Sequence, residues 1–371
     1  MPTWALTKRT GGRLAGTVLV GALAGCVADE IREQGMELVT AHQAEAPSER
    51  HQGVAWTAGP DSINEPDFAR LSALGVNWIA QTPFSWQQSA DEPELRMSRG
   101  RRVWWGERDN GIAVTTRAAR AAGVSTLLKP HVWLSDREDG VWRGQIAMDS
   151  EADWATWFQN YSEFILHYAA LAETLGIEAL CVGTELHATV HREAEWRALI
   201  TEVRQVYSGK LTYAANWYQE YEEVPFWDAL DWIGVQAYFP LSETEFPTAD
   251  ELEGAWQKWM DEIQELQVRE DRPVLFTEVG YRSVPYTGKE PWTWPTRGER
   301  TEDERAFEAQ AAAYEALFRA ASDRHWLEGI YLWKWYPSTG RARNRTADFT
   351  PQDKPAEQVM ARWFTSEPTQ R

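Results

Sequence analysis

Positive charge, cysteine and long apolar runs are all scarce in this chain, and each scarcity closes a class of function. The 371 residues carry 37 Lys and Arg against 56 Asp and Glu, a formal charge of −19. Neutralising nucleic-acid phosphates needs basic surface, so no nucleic-acid partner is expected, whereas a neutral polymer such as a polysaccharide fits this balance. Two cysteines, Cys26 and Cys181, build no disulfide framework. Cys181 lies within an apolar run and reads as a buried filler, not as a nucleophile. Seven histidines are scattered without metal-ligand spacing, so no metal site is expected.

The apolar stretch Leu14–Gly25 follows Lys8, Arg9 and Arg13 and is only 12 residues long. That is too short to span a bilayer as a mature helix, and its flanks are those of a signal peptide. It ends in Leu23-Ala-Gly-Cys26, which resembles the lipobox of bacterial lipoproteins, where cleavage precedes the cysteine and the thiol carries diacylglycerol. The expected organisation is a leader over 1–25, then a lipidated Cys26 with a polar tether over 26–50. A domain over 51–365 and a tail over 366–371 follow. An ordinary secretory signal with an incidental cysteine is the alternative. Val27 replaces the aspartate of inner-membrane retention signals, so the expected location is lipid-anchored in the bacterial cell envelope, at the outer membrane or cell surface.

Beyond residue 50, short apolar runs alternate with helical patterns. The predicted strands are 53–58, 76–84, 125–134, 179–186, 210–218, 232–240, 273–283 and 329–337. Eight such alternations predict a single (β/α)₈ TIM barrel, with a doubly wound open sheet as the competitor because periodicity does not show closure. No linker, internal repeat or low-complexity segment interrupts residues 51–365. Long connections at 85–108, 134–150 and 283–301 follow strands, where barrel enzymes build their sites. The last contains Pro291-Trp-Thr-Trp-Pro295 and is expected to form a wall of the cleft.

Glu185 and Glu278 end the fourth and seventh predicted strands, in Ala179-Leu-Cys-Val-Gly-Thr-Glu185 and Pro273-Val-Leu-Phe-Thr-Glu278. In a barrel, strand ends converge on one mouth, so these carboxylates are expected to meet. Glycosidic cleavage needs such a pair: one acid protonates the leaving oxygen, and the other attacks the anomeric carbon or activates water. A strand-end glutamate standing alone is usually a surface ion-pair partner. The 22 tryptophans supply flat apolar faces suited to sugar rings.

Further motifs sit at successive strand ends: Leu128-Lys-Pro-His131, Val182-Gly-Thr-Glu-Leu186, Tyr213-Ala-Ala-Asn-Trp217, Phe226-Trp-Asp-Ala-Leu-Asp-Trp-Ile-Gly234, Ala237-Tyr-Phe-Pro240, Thr277-Glu-Val-Gly-Tyr281 and Leu332-Trp-Lys-Trp335. In this order they resemble glycoside hydrolase family 113, the barrel β-mannanases of a retaining clan, over about residues 53–364. The resemblance implies endo-acting hydrolysis of β-1,4-mannan, glucomannan or manno-oligosaccharides, with Glu185 as general acid/base and Glu278 as nucleophile. It implies no metal or organic cofactor. Thr184 departs from the wider clan, where Asn often precedes the acid/base. Asn216 is the expected substitute toward the sugar 2-hydroxyl.

Other candidate sugar contacts are Lys129 and His131, which could alternatively cap the barrel rim, and Lys129 is also a candidate to tune a neighbouring carboxylate. Trp333 is the expected platform at the cleavage subsite. Tyr238 is expected to orient Glu278, with a core aromatic as the alternative. Trp56, Trp133 and Trp217 complete the set, while Trp154, Trp157, Trp256 and Trp259 read as helix packing. The expected partner is a β-linked polysaccharide or oligosaccharide, bound by a monomer. A barrel glycosidase for another β-hexan and a non-catalytic glycan-binding surface lipoprotein are the competing functions.

Overall fold

A computed structural model describes residues 50–366 except 64, 98–102, 137–139, 297 and 338–345. The expected leader, Cys26 and nearly all of the tether and tail lie outside the described residues. Eight parallel strands close into a barrel: β1 (His51–Trp56), β2 (Trp78–Gln81), β5 (Ser125–Leu128), β7 (Ala179–Thr184), β8 (Lys210–Asn216), β9 (Trp232–Gln236), β10 (Val274–Val279) and β11 (Leu327–Trp335). Their order around the barrel follows the chain, and β1 closes it by pairing with both β2 and β11. The fold is therefore the predicted (β/α)₈ barrel, and the open sheet is excluded.

The outer helices are α1 (Glu65–Ala73), α2 (Asp109–Ala121), α3 (Glu151–Leu175), α4 (Glu193–Val206), the short α5 (Glu220–Glu223), α6 (Ala249–Glu270), α7 (Glu304–Ser322) and α8 (Pro355–Thr365). Their ends follow local chemistry. The Ser150 hydroxyl accepts from the Asp153 amide to start α3, and Gly176, at φ 61°, ends it. Thr248 and Glu251 form a reciprocal capping box at α6. Among the described residues, no helix is long and apolar enough to cross a membrane.

Two buried clusters follow from strand alternation. Trp78, Ala80, Leu127, Ala179, Cys181, Ala214, Trp232, Leu275 and Tyr331 fill the barrel interior. A larger cluster joins the other strand faces to the helices. Burial at these positions, at about 25 cal/mol per Å² of apolar surface, is the main stabilising contribution.

Two predicted strands are shorter than their apolar runs, for a common reason. Pro83 and Pro130 have no N–H for a sheet ladder. The runs 76–84 and 125–134 therefore leave the barrel at β2 and β5 and resume as β3 (Phe84–Gln87) and β6 (His131–Leu134). With β4 (Leu95–Met97) these build a second sheet, in the order β4-β3-β6, beside the barrel mouth.

Candidate active site

The site is assembled at the C-terminal ends of the barrel strands. Glu278, within β10, is 4% exposed and bonded at both oxygens. The Lys129 ammonium, fully buried after β5, forms an ion pair with Oε1 and donates to Gln236 Oε1 at 3.0 Å and to the Thr277 carbonyl at 3.2 Å. The Tyr238 hydroxyl donates to Glu278 Oε2 at 2.8 Å. Burial, then Glu278, then Glu185 hold the Tyr238 hydroxyl well above its usual titration range, so it stays a donor.

Glu185 follows β7 directly, is 7% exposed and has φ 53°, in the left-handed region that side chains rarely adopt. Its amide donates to the Ala214 carbonyl at 2.9 Å, and the next amide, Leu186, donates to the Tyr213 hydroxyl at 3.0 Å. Gly183 permits this turn: a Cβ there would lie 2.5 Å from the Tyr213 ring and 2.7 Å from Trp196. The Glu185 carboxylate receives Asn216 Nδ2 at 3.1 Å on Oε1 and faces Arg143 Nε at 3.3 Å on Oε2.

A continuous path of contacts joins the two carboxylates. Arg143 Nη1 donates to His131 Nδ1 at 2.8 Å, while His131 Nε2 lies 3.9 Å from Glu278 Oε1. Arginine can only donate, so Nδ1 is the acceptor and the imidazole proton sits on Nε2. Burial, then Lys129 and Arg143, push the His131 pKa well below 6.5, which keeps the ring neutral.

The aromatic candidates separate. Trp333 joins Tyr238, Ala55 and Phe349 in a cluster at the mouth, with Trp217 packed against it. Trp294 meets the Trp333 ring edge-on at 6.1 Å, and Trp292 stacks on Trp217 at 4.9 Å. The Pro291–Pro295 segment thus reaches both strand-end tryptophans. Trp133, on β6, stands edge-on to Phe84 and carries the Arg143 guanidinium 5.1 Å from its centroid.

One expectation needs correction. Trp56 is 3% exposed and stacks on Phe68 of α1 at 4.6 Å, so its ring belongs to the strand–helix core and not to the mouth. Asn216 stands beside the acid/base candidate, donating from Nδ2 to Glu185 Oε1, while its Oδ1 accepts from the Tyr218 amide at 2.8 Å. Thr184 turns away from the site, its hydroxyl donating to the Pro130 carbonyl at 3.3 Å.

Three polar residues were missed by sequence reasoning. Arg143 opens a short 3-10 turn (Arg143–Gln145) too brief for any periodicity, and its only signal was the long connection after a barrel strand. Lys334, beside Trp333, sits 5.0 Å over Trp294 and 3.7 Å from Asp348. Glu220, wholly buried in α5, is bonded by Tyr213 and by the Asn216 amide. Among the described residues, no group of three or more His, Cys, Asp or Glu could hold a metal ion.

The model of glycoside hydrolase family 113 matches residues 60–354, a span that contains Glu185, Glu278 and every polar side chain described around them. The chain belongs to glycoside hydrolase family 113. This glycoside hydrolase is similar to a solved family 113 β-1,4-mannanase complex, at 26% identity and a TM-score of 0.72. The match covers 86% of this chain and 100% of that one. It is also similar to the family 113 β-mannanase of Alicyclobacillus acidocaldarius, solved in complex with ManMIm. There the identity is 29% and the TM-score 0.71, over 86% of this chain and 98% of that one. A fungal β-1,4-galactanase at 15% identity and a TM-score of 0.51, covering 84% of this chain and 98% of its own, shares the fold alone. No curated protein matches the hydrolase.

Proposed function

We propose that the chain is an endo-acting β-1,4-mannanase that cleaves mannan, glucomannan or manno-oligosaccharides with retention of configuration. Glu278 attacks the anomeric carbon as the glycosidic C–O bond breaks, and Glu185 gives its proton to the departing oxygen. Glu185 then takes a proton from water, which displaces the Glu278 carboxylate from the glycosyl ester and returns it as the anion. The observation that carries this assignment is the asymmetry of the two carboxylates. Glu278 is fixed at both oxygens by Lys129 and Tyr238, as suits a group that must present one geometry to a carbon. Glu185 is held more loosely, with the Asn216 amide at 3.1 Å on one oxygen and the Arg143 guanidinium at 3.3 Å on the other. The choice of mannan is supported by family membership and by the two β-mannanases to which the chain is similar.

The test is product analysis on mannan, glucomannan, cellulose and xylan, with NMR of the first-formed anomer. Manno-oligosaccharides released initially as the β-anomer are expected. Release of the α-anomer would contradict retention, and preference for cellulose or xylan would contradict the substrate. We further infer that a diacylglycerol on Cys26 anchors the enzyme in the cell envelope, on the strength of the basic, apolar and Leu-Ala-Gly-Cys segments in order.

A further inference from the structure

Glu220 is a carboxylic acid with no exposed surface, which is costly unless its oxygens are bonded. Its bonds lead to Glu185 along two routes. Through Oε1 it accepts from the Tyr213 hydroxyl, which in turn accepts from the Leu186 amide at 3.0 Å, one residue beyond Glu185. Through Oε2 it accepts from the Asn216 amide at 2.7 Å, in the residue whose side chain donates to Glu185 Oε1. Both routes end at the one site residue whose backbone lies in the left-handed region. Such backbone persists only where its surroundings over-determine it.

We propose that Glu220 is a positioning residue for proton transfer: it braces the turn that aims Glu185 and the amide that fixes its carboxylate. The proposal rests on Glu185 being the acid/base. The titratable groups facing Glu220 are Tyr213 from β8 and Glu185 from the end of β7. Burial, with the Glu185 charge adding to it, pushes the Glu220 carboxyl up to about 8, against the opposing pull of its hydrogen bonds. At neutral pH the brace is then mostly uncharged, its acid proton on Oε1 donating to the Tyr213 oxygen in place of the reverse bond, and it sets no full second negative charge behind the acid/base. A glutamine can reproduce that state, its oxygen accepting from the Asn216 amide and its amide donating to the Tyr213 oxygen.

The experiment compares kcat/KM on mannotetraose, whose leaving group needs protonation, with kcat/KM on a dinitrophenyl mannobioside, whose leaving group does not. Glu220→Ala should lose on the order of 10- to 100-fold on mannotetraose, as expected for a misplaced proton donor. On the activated substrate it should stay within about threefold of the parent. Tyr213→Phe, which keeps the ring, should show the same skew, and Glu220→Gln should restore near-parental values on both substrates. Equal losses on both substrates, tracking a lowered Tm, would overturn the proposal and leave Glu220 a packing residue. So would parental activity of Glu220→Ala on both. If Glu220→Ala does not fold, Tyr213→Phe decides by the same comparison. Glu185→Ala, measured alongside, separates the two levels. A skew there without one in the Glu220 and Tyr213 variants sinks the brace alone, and no skew in Glu185→Ala sinks the acid/base assignment beneath it.

Discussion

Lys129 and Glu278 form an ion pair closed off from solvent, with the ammonium wholly buried and the carboxylate nearly so. The lysine is bound on three sides, by Glu278, Gln236 and the Thr277 carbonyl, so neither charge is left uncompensated. Removing one partner of such a pair strands the other.

Lys129→Met should therefore lower unfolding stability by about 3–5 kcal/mol, measured by urea titration. Its catalytic effect should fall most heavily on hydrolysis of the glycosyl ester, because the ammonium stabilises the carboxylate that departs. Tyr238→Phe removes only the donor on Glu278 Oε2. It should slow turnover by on the order of 10- to 100-fold, the value of one hydrogen bond to a charged group, with little change in fold. Unaltered kcat in both variants would separate this cluster from the chemistry.

Stability should fall on both sides of neutrality. His51, stacked on Trp78 at the closed end of the barrel, is held by burial at about 3, and His131 also lies well below 6.5. Unfolded histidines take up protons near 6.5 that these native ones refuse, so stability falls as pH drops below that value. Glu220 acts in the opposite sense. Raised to about 8, it keeps a proton that an unfolded glutamate loses near 4.5, so its stabilisation is lost as pH rises through about 8. His51→Phe should reduce the stability lost between about pH 7 and pH 5 by on the order of 1–2 kcal/mol, read from urea melts at each pH. An unchanged acid slope would contradict the neutral, buried assignment of His51.

Cys26→Ser should shift the enzyme from the membrane fraction to the soluble one and leave its activity intact. The barrel strands and every site side chain lie beyond residue 50. A membrane fraction unaffected by the substitution would refute lipid attachment as the anchor.

The alternation of apolar runs and helical patterns was enough to predict eight strands and a barrel, and it put Glu185 and Glu278 at strand ends. What it could not supply was the direction of a side chain on a strand buried on both faces. Such strands lack polar alternation, so nothing in the run 53–58 showed that Trp56 turns toward Phe68. The predicted strands 76–84 and 125–134 ran through Pro83 and Pro130, and the second sheet these prolines create depends on pairing between distant segments. Arg143 reaches Glu185 from a short 3-10 turn, and Glu220 reaches it only through Tyr213 and Asn216 from a four-residue helix, both outside any periodic pattern. Asn216 was found, but its bond to Glu185 joins two strand ends far apart in sequence and appears only in the folded chain.

The division of labour between the two glutamates is tested most directly by azide rescue on a dinitrophenyl mannobioside. Glu185→Ala should retain the first step, since that leaving group needs little protonation. It should lose on the order of 10²–10⁴-fold on mannan. Added azide, which attacks the glycosyl ester without a general base, should then raise its turnover and yield the β-glycosyl azide. Glu278→Ala should be inactive on both substrates, and any azide product from it should be the α-anomer formed by direct displacement. An α-azide from Glu185→Ala, a β-azide from Glu278→Ala, or full activity in either variant would contradict the assignment.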